Sequence, residues 1–217
     1  MAHRIYIVDD HPLMRRGYRS LLEAEVDLLV CGEAGTVSDA WAGVFDASPD
    51  LMIVDVTLGD ASGIDLVRRV HGRRSDLPIL VVSMHDELLY AERAMRAGAR
   101  GYLMKGEADG DLVAAVRTLL ADGHHLTPRM QARAVEQLAG RAAPAGLPPE
   151  AALTDRELEV FELVGRGLST REVAETLRIS PKTVETYRGR IKQKLGLSDS
   201  TELLHRAVQY AQERGLV

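Results

Sequence analysis

The 217-residue chain has a single cysteine, no long apolar run, no internal repeat and no phosphate-binding loop, and each shortage closes off a class of protein. Cys31 alone cannot form an internal disulfide; within the apolar stretch Leu28, Leu29, Val30 it reads as a small packing residue. No uninterrupted run reaches the ~18 apolar residues of a membrane span, and no apolar signal core opens the sequence, so a soluble, cytoplasmic protein is expected. Without a GxxxxGK[ST] segment, nucleotide hydrolysis has no support.

What is present is unevenly charged. Residues 1–150 hold 16 Lys+Arg against 22 Asp+Glu, a net of −6, whereas residues 151–217 hold 11 against 10, a net of +1. Within the second part Arg178, Lys182, Arg188, Arg190, Lys192 and Lys194 oppose only Glu185, a local basic stripe. Length and this shift together point to two domains.

Short apolar runs alternate with amphipathic segments as far as residue 121, the pattern of a parallel sheet covered by helices on both faces. Strands are expected at Ile5–Val8, Leu28–Cys31, Leu51–Val54, Ile79–Val82 and Gly101–Met104, and helices at Pro12–Ala24, Val37–Asp46, Gly63–Arg73, Glu87–Ala97 and Ala108–Ala121. A further helix begins at Thr127 and Pro128 and runs to Ala139. Residues 140–150, with Gly140, Pro144, Gly146, Pro148 and Pro149 among alanines, have linker composition. Trp41 reads as helix packing. The adjacent His124 and His125 lack spaced partners and read as surface residues, not metal ligands.

The second part has helix signals only. Thr154 with Glu157 and Ser169 with Glu172 fit the capping-box spacing, and Ser180–Pro181 is a cap followed by a first-turn proline. Gly165, Gly167 and Gly196 mark helix ends. A last helix carries Leu203, Leu204, Ala207, Val208 and Ala211 at helical spacing. A helix from Ser169 to about Leu177, a short turn and a basic helix make a helix-turn-helix. Val184, Ile191 and Leu195 are expected to face the core. The expected divisions are 1–122, 123–150 (linker helix and flexible linker) and 151–217.

The chemistry lies where strands end. Ile5, Tyr6, Ile7 and Val8 run into Asp9 and Asp10, and Leu51, Met52, Ile53 and Val54 run into Asp55. Parallel strands share one carboxyl edge, so three carboxylates converge there. Their mutual repulsion calls for a cation, and an oxygen-rich site suits Mg²⁺.

These residues together resemble a response regulator of the NarL/FixJ family, a phosphorylatable receiver domain joined to a LuxR-type helix-turn-helix. The output-domain likeness rests on Thr154, Glu157, Gly167, Ile179, Thr183, Val184, Leu195 and Gly196. The implied fold is α/β: a (βα)5 doubly wound parallel-sheet receiver domain followed by an all-α four-helix helix-turn-helix domain.

The resemblance implies a regulator and not an enzyme: Asp55 as phosphoacceptor, Ser83 and Tyr102 as switch residues, Lys105 as a second cation, and Mg²⁺ held by Asp9, Asp10, Asp55 and the backbone carbonyl of Thr57. Ser83 would reach the phosphoryl group and leave space for Tyr102 to turn inward. Partners implied are a cognate histidine kinase, double-stranded DNA and a second copy, with no membrane. DNA-contact candidates are Lys182, Thr183, Glu185, Thr186, Arg188, Arg190, Lys192 and Lys194, with the stripe Leu203, Leu204, Ala207, Ala211 forming part of a dimer interface while some of it packs internally.

Gly59 and Gly106 depart from the receiver pattern at positions often held by proline. Gly59 should loosen the loop after Asp55, and the Lys105–Gly106 bond should be trans. An aspartyl-phosphate phosphatase of the haloacid dehalogenase type would need an aspartate two residues after Asp55, where Thr57 stands. A phosphoswitch whose output binds protein instead of DNA is a third reading, and a gel shift separates it. The acidic first half beside a stripe of net +5 further suggests that the receiver covers the basic helix until phosphorylated.

Overall fold

Apolar runs bounded by charged or turn residues become strands when both faces are covered, and here all five do. The computed structural model describes residues 2–59, 61–84, 87–106, 108–127, 130–132, 149–177 and 179–213. They fall into two compact units, 1–143 and 144–217. Arg178, residues 140–148 of the expected linker and most of the expected 127–139 helix lie outside the described residues; at that helix's start the Met130 N–H donates to Thr127 Oγ1 at 3.3 Å.

The first unit runs β1 (His3–Val8), α1 (Pro12–Glu23), β2 (Leu28–Ala34), α2 (Val37–Ala47), β3 (Leu51–Asp55), β4 (Thr57–Leu58), β5 (Ala61–Ser62), α3 (Gly63–Arg73), β6 (Ile79–Ser83), α4 (Glu87–Ala97), β7 (Gly101–Met104) and α5 (Ala108–Leu120). The main sheet is parallel with order β2-β1-β3-β6-β7, which is a doubly wound topology. Ile5, Ile7, Ile53, Leu80 and Val82 bury one face under Tyr18 and Leu22 of α1 and Leu112, Val116 and Leu119 of α5. On the other face Tyr6 lies against Gly32 and Gly43, where any Cβ would strike its ring or hydroxyl.

Several details differ from expectation. β2, β3 and β6 run past the last apolar residue, because ladder hydrogen bonds carry a strand on when its side chains turn polar. The loop after Asp55 is not loose: Thr57–Leu58 and Ala61–Ser62 pair antiparallel, and Gly59 takes the left-handed φ of +64° that glycine adopts without strain. The Lys105–Gly106 bond is trans, as expected. His124 is exposed, but His125 is half-buried and extends the sheet edge, since its carbonyl accepts from Tyr102 N–H at 3.1 Å and its N–H donates to the Arg100 carbonyl at 3.1 Å. The Cys31 thiol is half-buried and donates to the Ile5 carbonyl at 3.4 Å.

The second unit has a 3₁₀ turn (Pro149–Ala152), then α6 (Asp155–Gly165), α7 (Thr170–Leu177), α8 (Pro181–Leu195) and α9 (Ser200–Glu213). Both capping boxes form: Thr154 N–H donates to Glu157 Oε2 at 2.8 Å, and Ser169 N–H donates to Glu172 Oε2 at 2.8 Å. Ser180 Oγ accepts from Thr183 N–H at 3.0 Å with Pro181 in the first turn, and Gly196 ends α8 at φ +66°.

The stripe on α9 is mainly core. Leu203, Ala207 and Ala211 are buried, and α9 lies so close to α6 that a Cβ on Gly165 would fall on the Ala207 carbonyl oxygen. A domain this small needs those side chains inside. Leu204 alone of the four stays exposed, at 41%. No helix among the described residues is long and apolar enough to cross a membrane.

Candidate functional site

The strand register sets the first site. Val8 pairs with Val54, Asp55 with Val82 and Ser83 with Met104, so Asp9, Asp55, Ser83 and Lys105 emerge at one edge. Lys105 Nζ lies 2.6 Å from Asp55 Oδ2 and 2.8 Å from Asp9 Oδ2. Its backbone N–H donates to the Ser83 carbonyl at 2.8 Å, anchoring the lysine to β6. Asp55 Oδ1 accepts from Thr57 N–H at 3.3 Å, and Asp10 Oδ2 accepts from Gly59 N–H at 3.3 Å. The hairpin thus aims two amides at two different acids.

Behind Asp55, Gly63 starts α3 against the strand; a Cβ there would coincide with the Asp55 carbonyl oxygen. Burial is the largest influence on the Asp55 carboxyl; opposed by Lys105 and assisted by Asp9, it raises the group to about 6. Burial pushes the Lys105 ammonium down, but the facing Asp55 and Asp9 outweigh it and hold it above its ordinary value.

His11 was not foreseen as part of this site. It stands at the N-cap position of α1, its backbone N–H donates to Asp9 Oδ1 at 2.7 Å, and its Nδ1 lies 2.6 Å from Asp10 Oδ1. The nearest signal was its position directly after the acidic pair. Ligand atoms of Asp9, Asp10, His11 and Asp55 all lie within 4.8 Å of one another. The three carboxylates among them are the donor set a hard divalent ion prefers. The residues therefore fit Mg²⁺. Ser83 is fully buried at the same edge, and Tyr102 is fully buried within β7, two residues before the strand ends. Because the Tyr102 ring is already inside, the expected inward turn has no outward starting position here.

On α8, Val184 and Ile191 are buried and Leu195 half-buried. The opposite, exposed face carries Lys182, Thr186, Gly189 and Gln193, each one helical turn from the next, with Arg190 and Glu185 flanking it. Gln193 and Gly189 escaped the sequence reading, which followed charge. The remaining candidates are partly engaged. Arg188 donates to Thr170 Oγ1 at 2.8 Å, and Thr170 donates to Glu185 Oε1 at 2.8 Å, tying α8 to the start of α7. Lys194 Nζ donates to Glu157 Oε2 at 2.6 Å. Burial raises the Glu157 carboxyl, but Lys194 and Thr154 outweigh it and hold it below its usual range. Thr183 and Lys192 are half-buried.

Comparison with known proteins matches both halves of the chain. Residues 5–117 match the family described as response regulator receiver domain, and residues 151–207 match that of bacterial regulatory proteins, luxR family. The transcriptional regulatory protein UhpA of Salmonella typhimurium is 37% identical over 202 residues, covering 93% of this chain and 96% of that protein. The DNA-binding transcriptional activator DevR/DosR of Mycobacterium tuberculosis is 35% identical over 199 residues, 92% of this chain and 91% of that one. A two-component response regulator of the LuxR family from Aurantimonas sp. SI85-9A1 superposes with a TM-score of 0.59 at 32% identity, over 64% of this chain and 99% of that structure. An acid-lined sheet edge followed by a capped helix-turn-helix, matched in both halves and along nearly the whole length, makes this chain a member of the NarL/FixJ family of two-component response regulators, with a receiver domain and a LuxR-type DNA-binding domain that regulate transcription.

Proposed function

We propose that Asp55 is the phosphoacceptor through which a cognate histidine kinase sets this regulator's state. The observation that carries this is the convergence of Asp9, Asp10 and Lys105 on the buried Asp55. An ionised Asp55 oxygen attacks phosphorus in line; the bond from phosphorus to the donor's imidazole nitrogen breaks, and its electron pair leaves with that nitrogen. Asp9, Asp10, Asp55 and the Thr57 carbonyl would hold Mg²⁺, which when bound supplies positive charge against the phosphoryl oxygens. Lys105 neutralises the acids that would otherwise repel the donor. The Ser83 hydroxyl donates to a phosphoryl oxygen in the product. Since Tyr102 is already buried, its part is a change of packing and not an inward swing.

In the output domain α8 enters the major groove with Lys182, Thr186, Gln193 and Arg190 toward the duplex. Lysine and arginine contacts to phosphate give affinity, and the polar side chains that reach base edges give specificity. Two copies bind half-sites ~10 bp apart, the spacing that places both recognition helices on one face. Leu204 is the apolar residue of α9 left to meet a partner.

Binding-site selection from random duplex DNA, with the parent chain and Asp55→Asn, each with and without a small phosphodonor and Mg²⁺, tests the whole reading. One sequence should be enriched, more strongly with donor for the parent and without donor dependence for Asp55→Asn. Equal donor response in both removes Asp55; no enrichment removes base readout. A fragment of residues 147–217 that binds more weakly than the unphosphorylated full chain would remove inhibition by the receiver.

A further inference from the structure

Two ladders lie side by side on the outer surface of the receiver, away from the phosphoacceptor edge. On α2, Trp41 and Phe45 stand one turn apart with their rings edge to face at 5.1 Å. On α3, Arg69 and Arg73 stand one turn apart. The Arg69 guanidinium lies 4.3 Å from the Trp41 ring centre, and Arg73 lies 4.0 Å from that of Phe45. Both arginines are exposed and both rings half-buried.

Their neighbours on and just after α3 are already neutralised: Arg68 pairs with Asp65, and Arg74 donates to Asp76 at 3.2 Å and to the Pro49 carbonyl at 3.2 Å. Among the described residues, the side chains of Arg69 and Arg73 make neither an ion pair nor a hydrogen bond. A guanidinium held over a ring is attracted without a hydrogen bond, so its N–H donors, which match a carboxylate two at a time, stay available. Stacking also fixes both side chains in place, which lowers the entropy lost when a partner arrives. Holding α2 to α3 would need only the ring faces; aliphatic pairs would do it without two unneutralised charges.

The geometry points to this α2–α3 face as a docking surface for an acidic, partly apolar protein segment, with carboxylates one helical turn apart on Arg69 and Arg73 and an apolar side chain on the ring edges of Trp41 and Phe45. A protein segment fits better than a nucleic acid. Asp39, Asp46 and Asp65 flank the patch, and a duplex with a charge every ~1.7 Å would lay phosphates on them. A peptide places two carboxylates and leaves the acids uncovered.

Trp41 is the only tryptophan in the chain, so its emission reports occupancy directly. The full chain is titrated with a synthetic helical peptide carrying Glu at i and i+4 and Leu between, with the same peptide bearing Gln for Glu, and with a random-sequence duplex. Binding of a fluorescently labelled form of the Glu peptide is followed by anisotropy for Arg69→Gln/Arg73→Gln and for Arg69→Lys/Arg73→Lys. We expect a saturable change in Trp41 emission with the Glu peptide alone, at least ~10-fold weaker binding in the glutamine double variant, and an intermediate loss in the lysine variant, which keeps charge without the fork. No saturable change, equal binding of the Gln peptide, equal binding by Arg69→Gln/Arg73→Gln, or duplex binding that needs these arginines and exceeds that of the peptide would each overturn the proposal.

Discussion

Lys105 reaches past an entire strand to meet Asp55. Their strands, β7 and β3, are separated by β6, yet Nζ stands 2.6 Å from Oδ2. The long side chain spans that gap, and the Ser83 carbonyl holds its backbone in register. One ammonium thereby offsets acids delivered by two other strands. Replacing it with methionine keeps the length and removes the charge. Lys105→Met should raise the Asp55 carboxyl further and slow labelling by a small phosphodonor at neutral pH by ~10-fold or more, the effect of removing a positioned charge. An unchanged labelling rate would detach Lys105 from the chemistry.

The raised Asp55 carboxyl has a stability consequence with a definite sign. The folded group sits at about 6 and the ordinary value is 3.8, so the native state binds this proton more tightly than the unfolded chain. Folding is then penalised by the ionised carboxylate above about 6 and not penalised below 3.8. The stability of the parent relative to Asp55→Asn should fall as pH rises between those values and level off beyond. Urea unfolding of both proteins in chelator measures it. A difference independent of pH, or one that grows with pH, would contradict the burial argument.

Gly63 touches the phosphoacceptor from behind. An added methyl would displace either the Asp55 carbonyl or the start of α3, so Gly63→Ala should destabilise the receiver by about 1–3 kcal/mol, the usual range for overpacking. Labelling of Asp55 should drop in the same variant. Thermal unfolding and phosphoprotein gels read the two effects, and wild-type behaviour in both would mean the close approach is not tight.

Lys182 and Lys194 belong to the same basic stripe but face different surroundings. Lys182 is exposed on the outer face of α8, whereas Lys194 is held by Glu157 of α6. Lys182→Ala should reduce the slope of log affinity against log salt by about 0.9, one phosphate's share. Lys194→Ala should leave that slope alone and lower stability by about 1 kcal/mol, because it strips a buried carboxylate of its charged partner. The reverse pattern would exchange their roles.

Gly189 stands in the middle of the exposed face of α8 with nothing near the position a Cβ would take. A glycine inside a helix costs ~1 kcal/mol relative to alanine, and no neighbour among the described residues requires it. If the helix backbone approaches DNA closely there, Gly189→Ala should stabilise the domain by about 1 kcal/mol while weakening specific DNA binding. A variant that gains both stability and affinity would show that no close approach occurs at this position.

Much of this protein is readable residue by residue. The runs Ile5–Val8 and Leu51–Val54, the caps at Thr154, Ser169 and Ser180, and the helix end at Gly196 are short-range features, and propensity, capping and periodicity act within a few residues. They determine the elements and their order, and strand ends followed by acids show which edge carries chemistry. Partnerships are another matter, since they join residues far apart in sequence. Only the packed structure places His11 against Asp10, ties Lys194 to Glu157 and Arg188 to Thr170, spends Leu203, Ala207 and Ala211 on the core, and stacks Arg69 and Arg73 on Trp41 and Phe45. A basic residue looks the same in sequence whether it faces water or a buried carboxylate; the helix-to-helix distance decides which, and that distance is set by the side chains of every element packed between.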